Sequence, residues 1–224
     1  MTNLLLLLIA APVFFGLAVL PFANYKIRRV IVIIGAVAQA AVAVAFMAFA
    51  GGDQPFRSGP APEVLSLAVL GLELAIAAYI VVVAVRRKKL LPLALALIQA
   101  GLAIFGEEWT GGAEVRNLFI ADQLSLLMVG LVGLVGGLIL FYSSGYMQTY
   151  TEEHPDVKDR RRSFICVMFV FLGAMYGLVL SNDLRLMLLF WEMTTLASFL
   201  LIGYARTKES DASAFRALNM NLGG

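Results

Sequence analysis

The chain has 224 residues, of which 61% are hydrophobic and 14% are charged, and its formal net charge is +2. A mean hydropathy of +0.88 excludes a water-soluble globular domain and indicates a polytopic membrane protein. The small net charge argues against nucleic-acid binding. The basic residues fall in short clusters between apolar segments, where they set membrane topology.

About seven apolar segments approach the length of about 20 residues that a helix needs to cross the hydrocarbon core. They cover residues 3–23, 29–50, 64–85, 90–106, 118–142, 163–180 and 184–204, and an eighth begins near Ala212. The first lacks a basic n-region and an Ala-x-Ala site, so we expect a retained helix and not a signal peptide. The predicted fold is an all-α, polytopic transmembrane helix bundle of about seven full spans plus the start of an eighth.

The lysines and arginines favour one orientation of this bundle. Fourteen of the seventeen follow the first, third, fifth and seventh segments. They are Lys26, Arg28, Arg29, Arg86, Arg87, Lys88, Lys89, Lys158, Arg160, Arg161, Arg162, Arg206, Lys208 and Arg216, whereas Arg57, Arg116 and Arg185 lie in the other loops. Because basic loops remain in the cytoplasm, we expect a multi-pass protein of the cell (inner) membrane with its N-terminus outside.

The chain divides into three predicted parts: two helices in residues 1–50, an outer loop and a helical hairpin in residues 51–117, and a third part in residues 118–224. The Gly/Pro-rich loop 51–62 is expected to be a surface connection without chemistry of its own. In the hairpin, Glu73 and Gln99 lie at similar depths from the shared turn, so we predict a hydrogen bond between them. Alternatively, Glu73 belongs to a proton path.

Small residues predict where helices approach each other closely. Gly130, Gly133 and Gly137 share one face of the fifth segment, and Gly173 and Gly177 are one turn apart in the sixth. We expect the second pair to pack against the seventh segment.

Glu192 lies near the middle of the seventh segment, and Asn182 or Asp183 is expected to cap that helix. A charge at the bilayer centre costs from about 2.5 kcal/mol upward, so such an acid faces protein or water and marks an ion path. Thr195 lies one turn further on the same face and Ser198 adds a hydroxyl, so both are candidates to hydrogen-bond the acid or order water beside it. The alternative is that Glu192 only fixes helix packing.

The stretch from Gly173 to Tyr204 resembles the antiporter-like membrane subunits shared by complex I, group 4 membrane-bound hydrogenases and Mrp cation/proton antiporters. The specific part is the Trp191-Glu192 pair with the Leu-Leu-Ile-Gly that follows, and Asp122-Gln-Leu-Ser125 and Gly145-Tyr-Met147 support it. The resemblance covers about residues 118–224 and is greatest to the large Mrp subunit or the distal complex I subunit. It implies that Glu192 is the acid of a first proton half-channel. The repeat that forms this half-channel is incomplete in residues 118–224, and the helical hairpin in residues 51–117 is an insertion relative to the family.

Family members continue through a broken helix whose Lys partners this acid, whereas no Lys, Arg or His lies in the interior of a predicted span here. We therefore expect that these 224 residues do not move protons alone. Either other membrane subunits, one supplying the Lys-bearing helices, complete the path, or the sequence is truncated. The implied function is proton or cation/proton translocation across an energy-transducing membrane in a redox-driven or Mrp-type complex, and the choice between these two stays open.

No cofactor or metal site is predicted in this chain. Cys166, the single cysteine, lies in an apolar run, which argues against a disulfide framework or an iron–sulfur site. No nicotinamide or flavin signature occurs, so any electron transfer belongs to partner subunits. At most, the chain is a non-catalytic proton-translocating subunit of an oxidoreductase complex of the NADH:quinone oxidoreductase or membrane-bound hydrogenase type.

Overall fold

The computed structural model describes residues 2–51, 55–59, 63–109, 117–154 and 159–223. Arg116, Lys158 and Gly224, which entered the sequence-based predictions, lie outside the described residues. The helices are α1 (Thr2–Val19), α2 (Tyr25–Ala50), α3 (Glu63–Arg86), α4 (Leu90–Trp109), α5 (Gln123–Glu153), α6 (Arg161–Leu180), α7 (Leu184–Ile202) and α8 (Lys208–Leu222), with a 3-10 turn at Gly203–Ala205. Two short strands, β1 (Phe56–Arg57) and β2 (Ile120–Ala121), pair in antiparallel fashion.

The predicted all-α polytopic bundle is confirmed. Within the described residues, six helices are long and apolar enough to span a membrane: α1, α2, α3, α5, α6 and α7. The apolar part of α4, Leu90–Gly101, is shorter than a helix needs to be to cross the membrane. The count of seven full spans and the outside position of the N-terminus stay predictions.

The fifth helix differs from its predicted extent of residues 118–142. It begins later because the Asp122 side chain caps it, accepting a hydrogen bond from the Ser125 backbone N–H at 2.7 Å. It continues to Glu153, and hydroxyl groups in its polar half are satisfied by carbonyl groups of the same helix. Ser143 donates to the Leu140 carbonyl and Thr151 donates to the Met147 carbonyl, each at 2.8 Å.

The loop that contains β1 is more than a surface connection, because it belongs to a hydrogen-bond network that joins three chain segments. The Ser58 hydroxyl accepts a hydrogen bond from the Phe119 N–H at 2.8 Å, and the Ser58 N–H donates to the Phe119 carbonyl at 2.9 Å. Phe119 also forms a β-bridge with Ser181, and the Asn182 N–H donates to the Leu118 carbonyl. The segments that lead into α3, α5 and α7 therefore meet at one end of the bundle.

Glycine provides the close helix approaches that the sequence predicted. The predicted contact of the sixth segment with the seventh is confirmed at Gly177 of α6, which packs on the Phe190 ring of α7, but not at Gly173. Gly173, on the same helix, lies against α1, where an added Cβ would be 2.8 Å from the Ile9 carbonyl oxygen. Gly130 and Gly133 of α5 face Met47 and Ala43 of α2. Backbone therefore packs directly on neighbouring helices at these positions.

Arg28 lies inside helix α2, whereas the sequence-based prediction placed it in the loop before the second span. Because the Asn24 side chain caps α2 by accepting from the Lys26 N–H at 2.9 Å, the helix starts before residue 29 and includes Arg28 in its first turn. The Arg28 side chain is buried, and its Nε has no hydrogen-bond partner among the described residues. It borders a small cavity with Ser144 of α5 and Arg161 of α6.

We expect Gly173→Ala to destabilise the bundle by about 1–3 kcal/mol, because the added methyl group meets backbone that cannot rotate away. Gly145→Ala is the matched control, since nothing lies within 4 Å of its Cβ position. Thermal unfolding in detergent micelles measures both. Equal melting temperatures for the two variants would show that the α1–α6 contact tolerates a methyl group.

The pairing of Asp159 with Arg161 makes the stability of the fold depend on pH. Asp159, in the loop before α6, accepts hydrogen bonds from the Arg161 side chain, and this pairing lowers its pKa from 3.8 to about 2. A lowered pKa in the folded state contributes stability above the unfolded pKa, and the contribution disappears as the pH falls through about 2. Asp159→Asn should therefore lower the melting temperature at neutral pH, and the difference should shrink between pH 4 and pH 2. A difference that stays constant over this range contradicts the pairing.

Candidate functional site

The depth of Glu192 is set at the beginning of α7. As predicted, a residue of the outer turn caps this helix: Asp183 accepts hydrogen bonds from the backbone N–H groups of Arg185 at 2.8 Å and Leu186 at 3.1 Å. Asn182 instead donates to the Asn117 carbonyl at 2.8 Å. With the helix start fixed, Glu192 lies about 12 Å along the axis from Leu184.

Glu192 is enclosed by helices. Its side chain is 6% exposed, and α7 packs against α3, α6 and α8. The Oε2 atom is buried and has no hydrogen-bond partner among the described residues. A buried polar atom without a partner is rare, since it loses its hydration without compensation, and it therefore calls for an explanation.

The neighbouring Trp191 is less buried than Glu192 and contacts α8. Its side chain is 44% exposed, and its indole N–H donates to the Asn221 carbonyl of α8 at 3.1 Å. Two turns further, the Phe199 and Phe215 rings meet edge to face at 5.2 Å. These two contacts show that α8 runs back along α7, and they place Asn219 of α8 at a level between Glu192 and Thr195.

The hydroxyl groups near Glu192 differ in their burial and in their hydrogen bonds. Thr195 is 2% exposed and shares the buried face with Glu192, whereas Ser198 is partly buried. Thr194 donates to the Trp191 carbonyl at 2.8 Å, so its hydroxyl is satisfied within the helix. In the part of the chain that the structure describes, no hydrogen bond joins Thr195 or Ser198 to Glu192. Their roles at the acid stay predictions.

Glu73 lies on the face of α3 that packs against the bundle. It is 7% exposed and belongs to a buried stripe formed by Val69, Glu73, Ile76, Ala77, Ile80 and Ala84. α3 packs on α7, and the Glu73 and Glu192 carboxyls are near enough to interact electrostatically.

The depths of the two acids agree with this proximity. α3 and α7 begin at the same end of the bundle, where β1, β2 and Ser181 meet. Glu73 lies about 15 Å along its axis from Glu63, and Glu192 lies about 12 Å from Leu184. The two carboxyls are therefore at nearly the same level.

The predicted hydrogen bond between Glu73 and Gln99 is absent from the described residues. Gln99 is partly buried on α4, whereas the Glu73 side chain lies on the buried stripe of α3. Equal depth in a helical hairpin does not by itself bring two side chains into hydrogen-bonding contact.

Two features of the site were not predicted from the sequence. One is the position of Glu73 beside α7, which α3 does not reveal because nearly all its residues are apolar. The other is Asn219, whose Oδ1 is buried without a hydrogen-bond partner among the described residues. An asparagine in a short, mostly polar helix gave no signal of burial. Among the described residues, no three His, Cys, Asp or Glu side chains cluster as metal ligands would.

Two family models match parts of the chain, and one of them covers the helix that carries Glu192. The model for the N-terminus of chain 5 of NADH-ubiquinone oxidoreductase (complex I) matches residues 110–155, which include α5. The model for the transmembrane region of NADH:quinone oxidoreductase and Mrp antiporters matches residues 181–224, which include α7 and α8. The resemblance to antiporter-like membrane subunits is confirmed over these residues.

Curated relatives agree with these matches. The Na(+)/H(+) antiporter subunit A1 of Staphylococcus haemolyticus is 38% identical over 89 residues, and that of Staphylococcus aureus is 36% identical over 89 residues. The aligned segment is 40% of this chain and 10% of each relative. The chain thus matches about a tenth of the length of these relatives.

Proposed function

We propose that this chain forms part of a proton path in a cation/proton-translocating membrane complex, and that Glu192 is the group that takes up and releases the proton. The observation that carries the proposal is the enclosure of this carboxyl: it is 6% exposed, lies mid-helix in an apolar bundle, and leaves one oxygen without a partner among the described residues. Burying an acid in this position is costly, and acids that persist inside transmembrane segments typically mark ion or proton paths.

The class of complex follows from the relatives. Those described above are named as Na(+)/H(+) antiporter subunits, which favours an Mrp-type antiporter over a redox-driven pump for this chain. We propose a cell-membrane location with the basic loops in the cytoplasm. Other membrane subunits would act with this chain, including one that supplies a Lys-bearing helix to partner Glu192. We propose no cofactor or metal for this chain.

Glu73 extends the proposed site. Two neighbouring carboxyls in a medium of low polarity repel each other when both are charged, so they titrate as a pair and not as independent groups. A proton that arrives at one carboxyl is therefore stabilised by the charge on the other. We propose that Glu73 exchanges protons with Glu192, and that Thr195 and Ser198 order water or donate hydrogen bonds beside them.

We expect Glu192→Gln to reduce cation-driven proton flux at least about 100-fold, since a positioned proton-transfer group contributes about 10²–10⁴-fold to a rate. The glutamine has nearly the same shape, so the variant should still assemble. The measurement is dye-reported proton flux in everted membrane vesicles from cells that express the full chain with its partner subunits. Co-purification of those subunits reports assembly.

Glu153→Gln is the matched control, because Glu153 is an exposed acid at the end of α5. It should leave flux unchanged. Full flux in Glu192→Gln would refute the proposed role. Loss of co-purification in that variant would favour the structural alternative, in which the acid only fixes helix packing.

For Glu73→Gln we expect transport that is slower than in the wild type but not abolished. Its pH profile should report a single ionisation in place of a coupled pair, because one of the two interacting groups no longer titrates. Flux measured at a series of pH values tests this. Gln99→Leu serves as the control on the same hairpin, and an unchanged pH profile in Glu73→Gln would place Glu73 outside the path.

A further inference from the structure

A cavity of about 410 Å³ lies at the end of the bundle opposite the β1–β2 pairing. It is bordered by the last turns of α3 and α7, the first turns of α6 and α8, and the 3-10 turn between α7 and α8. The hairpin of α3 and α4 closes one side, where Arg87 forms a 2.7 Å ion pair with Asp211 of α8. The cavity is therefore a space between the hairpin and the remaining helices.

The mouth of this cavity is strongly basic. Four arginines border it, Arg86, Arg87, Arg160 and Arg206, against the single acid Asp211. Asp211 is engaged by Arg87, and Arg160 donates to the Tyr204 carbonyl at 3.4 Å. No acid among the described residues forms an ion pair with Arg86 or Arg206. The mouth thus presents about three positive charges that no neighbouring side chain neutralises.

The inner wall of the cavity is apolar and aromatic. Val83 of α3, Phe199 of α7 and Phe215 of α8 contribute to it. α3 is long enough to cross the hydrocarbon core, so the arginines at its end lie at the level of lipid headgroups, and the wall extends inward toward the acyl chains. From its mouth inward, the cavity changes from basic to apolar, which matches the anionic headgroup and the acyl chains of a phospholipid.

We propose that this cavity binds one anionic phospholipid, with its phosphate between Arg86 and Arg206 and an acyl chain against the wall formed by Val83, Phe199 and Phe215. Guanidinium groups are well suited to phosphate, because they donate two parallel hydrogen bonds. A soluble phosphate ion would use only the basic mouth and leave the apolar wall unused. The bound lipid fastens the α3–α4 hairpin to α6, α7 and α8. This inference does not depend on the proposed function.

The test uses phosphatidylglycerol as the anionic lipid and phosphatidylcholine as the neutral one, added to the purified full chain in detergent micelles. Native mass spectrometry and melting temperature report binding. We expect phosphatidylglycerol to bind more tightly and to raise the melting temperature more than phosphatidylcholine. R86Q/R206Q should bind phosphatidylglycerol about 30-fold more weakly, because two headgroup contacts are lost.

Two further variants separate charge from shape. K26Q/R29Q removes the same number of charges at exposed positions of α2, which does not line the cavity, and should keep wild-type binding. Val83→Trp keeps every charge but fills the apolar wall, and should also lose the bound lipid. Val83→Trp therefore tests the wall even if R86Q/R206Q fails to fold.

Three results would overturn the proposal. The first is equal binding of the two lipids. The second is wild-type binding of phosphatidylglycerol by R86Q/R206Q or by Val83→Trp. The third is equal thermal protection by inorganic phosphate alone, which would assign the arginines to a soluble anion.

Discussion

The hydrogen bonds that join Ser58, Phe119 and Asn182 to their backbone partners set the positions of the helices that begin beside them. Unpaired backbone groups are costly next to an apolar bundle, so these segments either pair with one another or remain in water. Pairing starts α3 and α7 from one level. Two acids that are far apart in the sequence, Glu73 and Glu192, consequently reach the same depth.

Packing then decides which way those acids face. α3 packs on α7, and α7 is itself held by Phe190 on α6 and by Trp191 and Phe199 on α8. Neither carboxyl reaches solvent to any large extent. A hydrophobic pair at these positions would satisfy the packing equally well, which is why an acid pair there calls for a chemical explanation.

Much of the fold was predictable because membranes restrict structure so strongly. Apolar length, the cap at Asp183 and the glycine of α6 that meets α7 are local signals, and each agrees with the structure. The position of Glu73 was not predictable, since the rotation of a helix with apolar residues on every side leaves no periodic pattern. The extension of α5 to Glu153 was not predicted either. Its last turns are rich in polar residues, and a polar stretch after an apolar segment is typical of a loop outside the membrane.

The α7–α8 contact contains an intrinsic fluorescent probe of the candidate site. Trp191 is adjacent to Glu192, and its indole N–H is bonded to the Asn221 carbonyl. Indole emission responds to hydrogen bonding and to the polarity of its surroundings. The sequence contains two tryptophans, Trp109 and Trp191, so replacing Trp109 isolates the second. The protein thus carries its own fluorophore one residue from the buried acid, and light emitted there reports the separation of α7 from α8 without an added label.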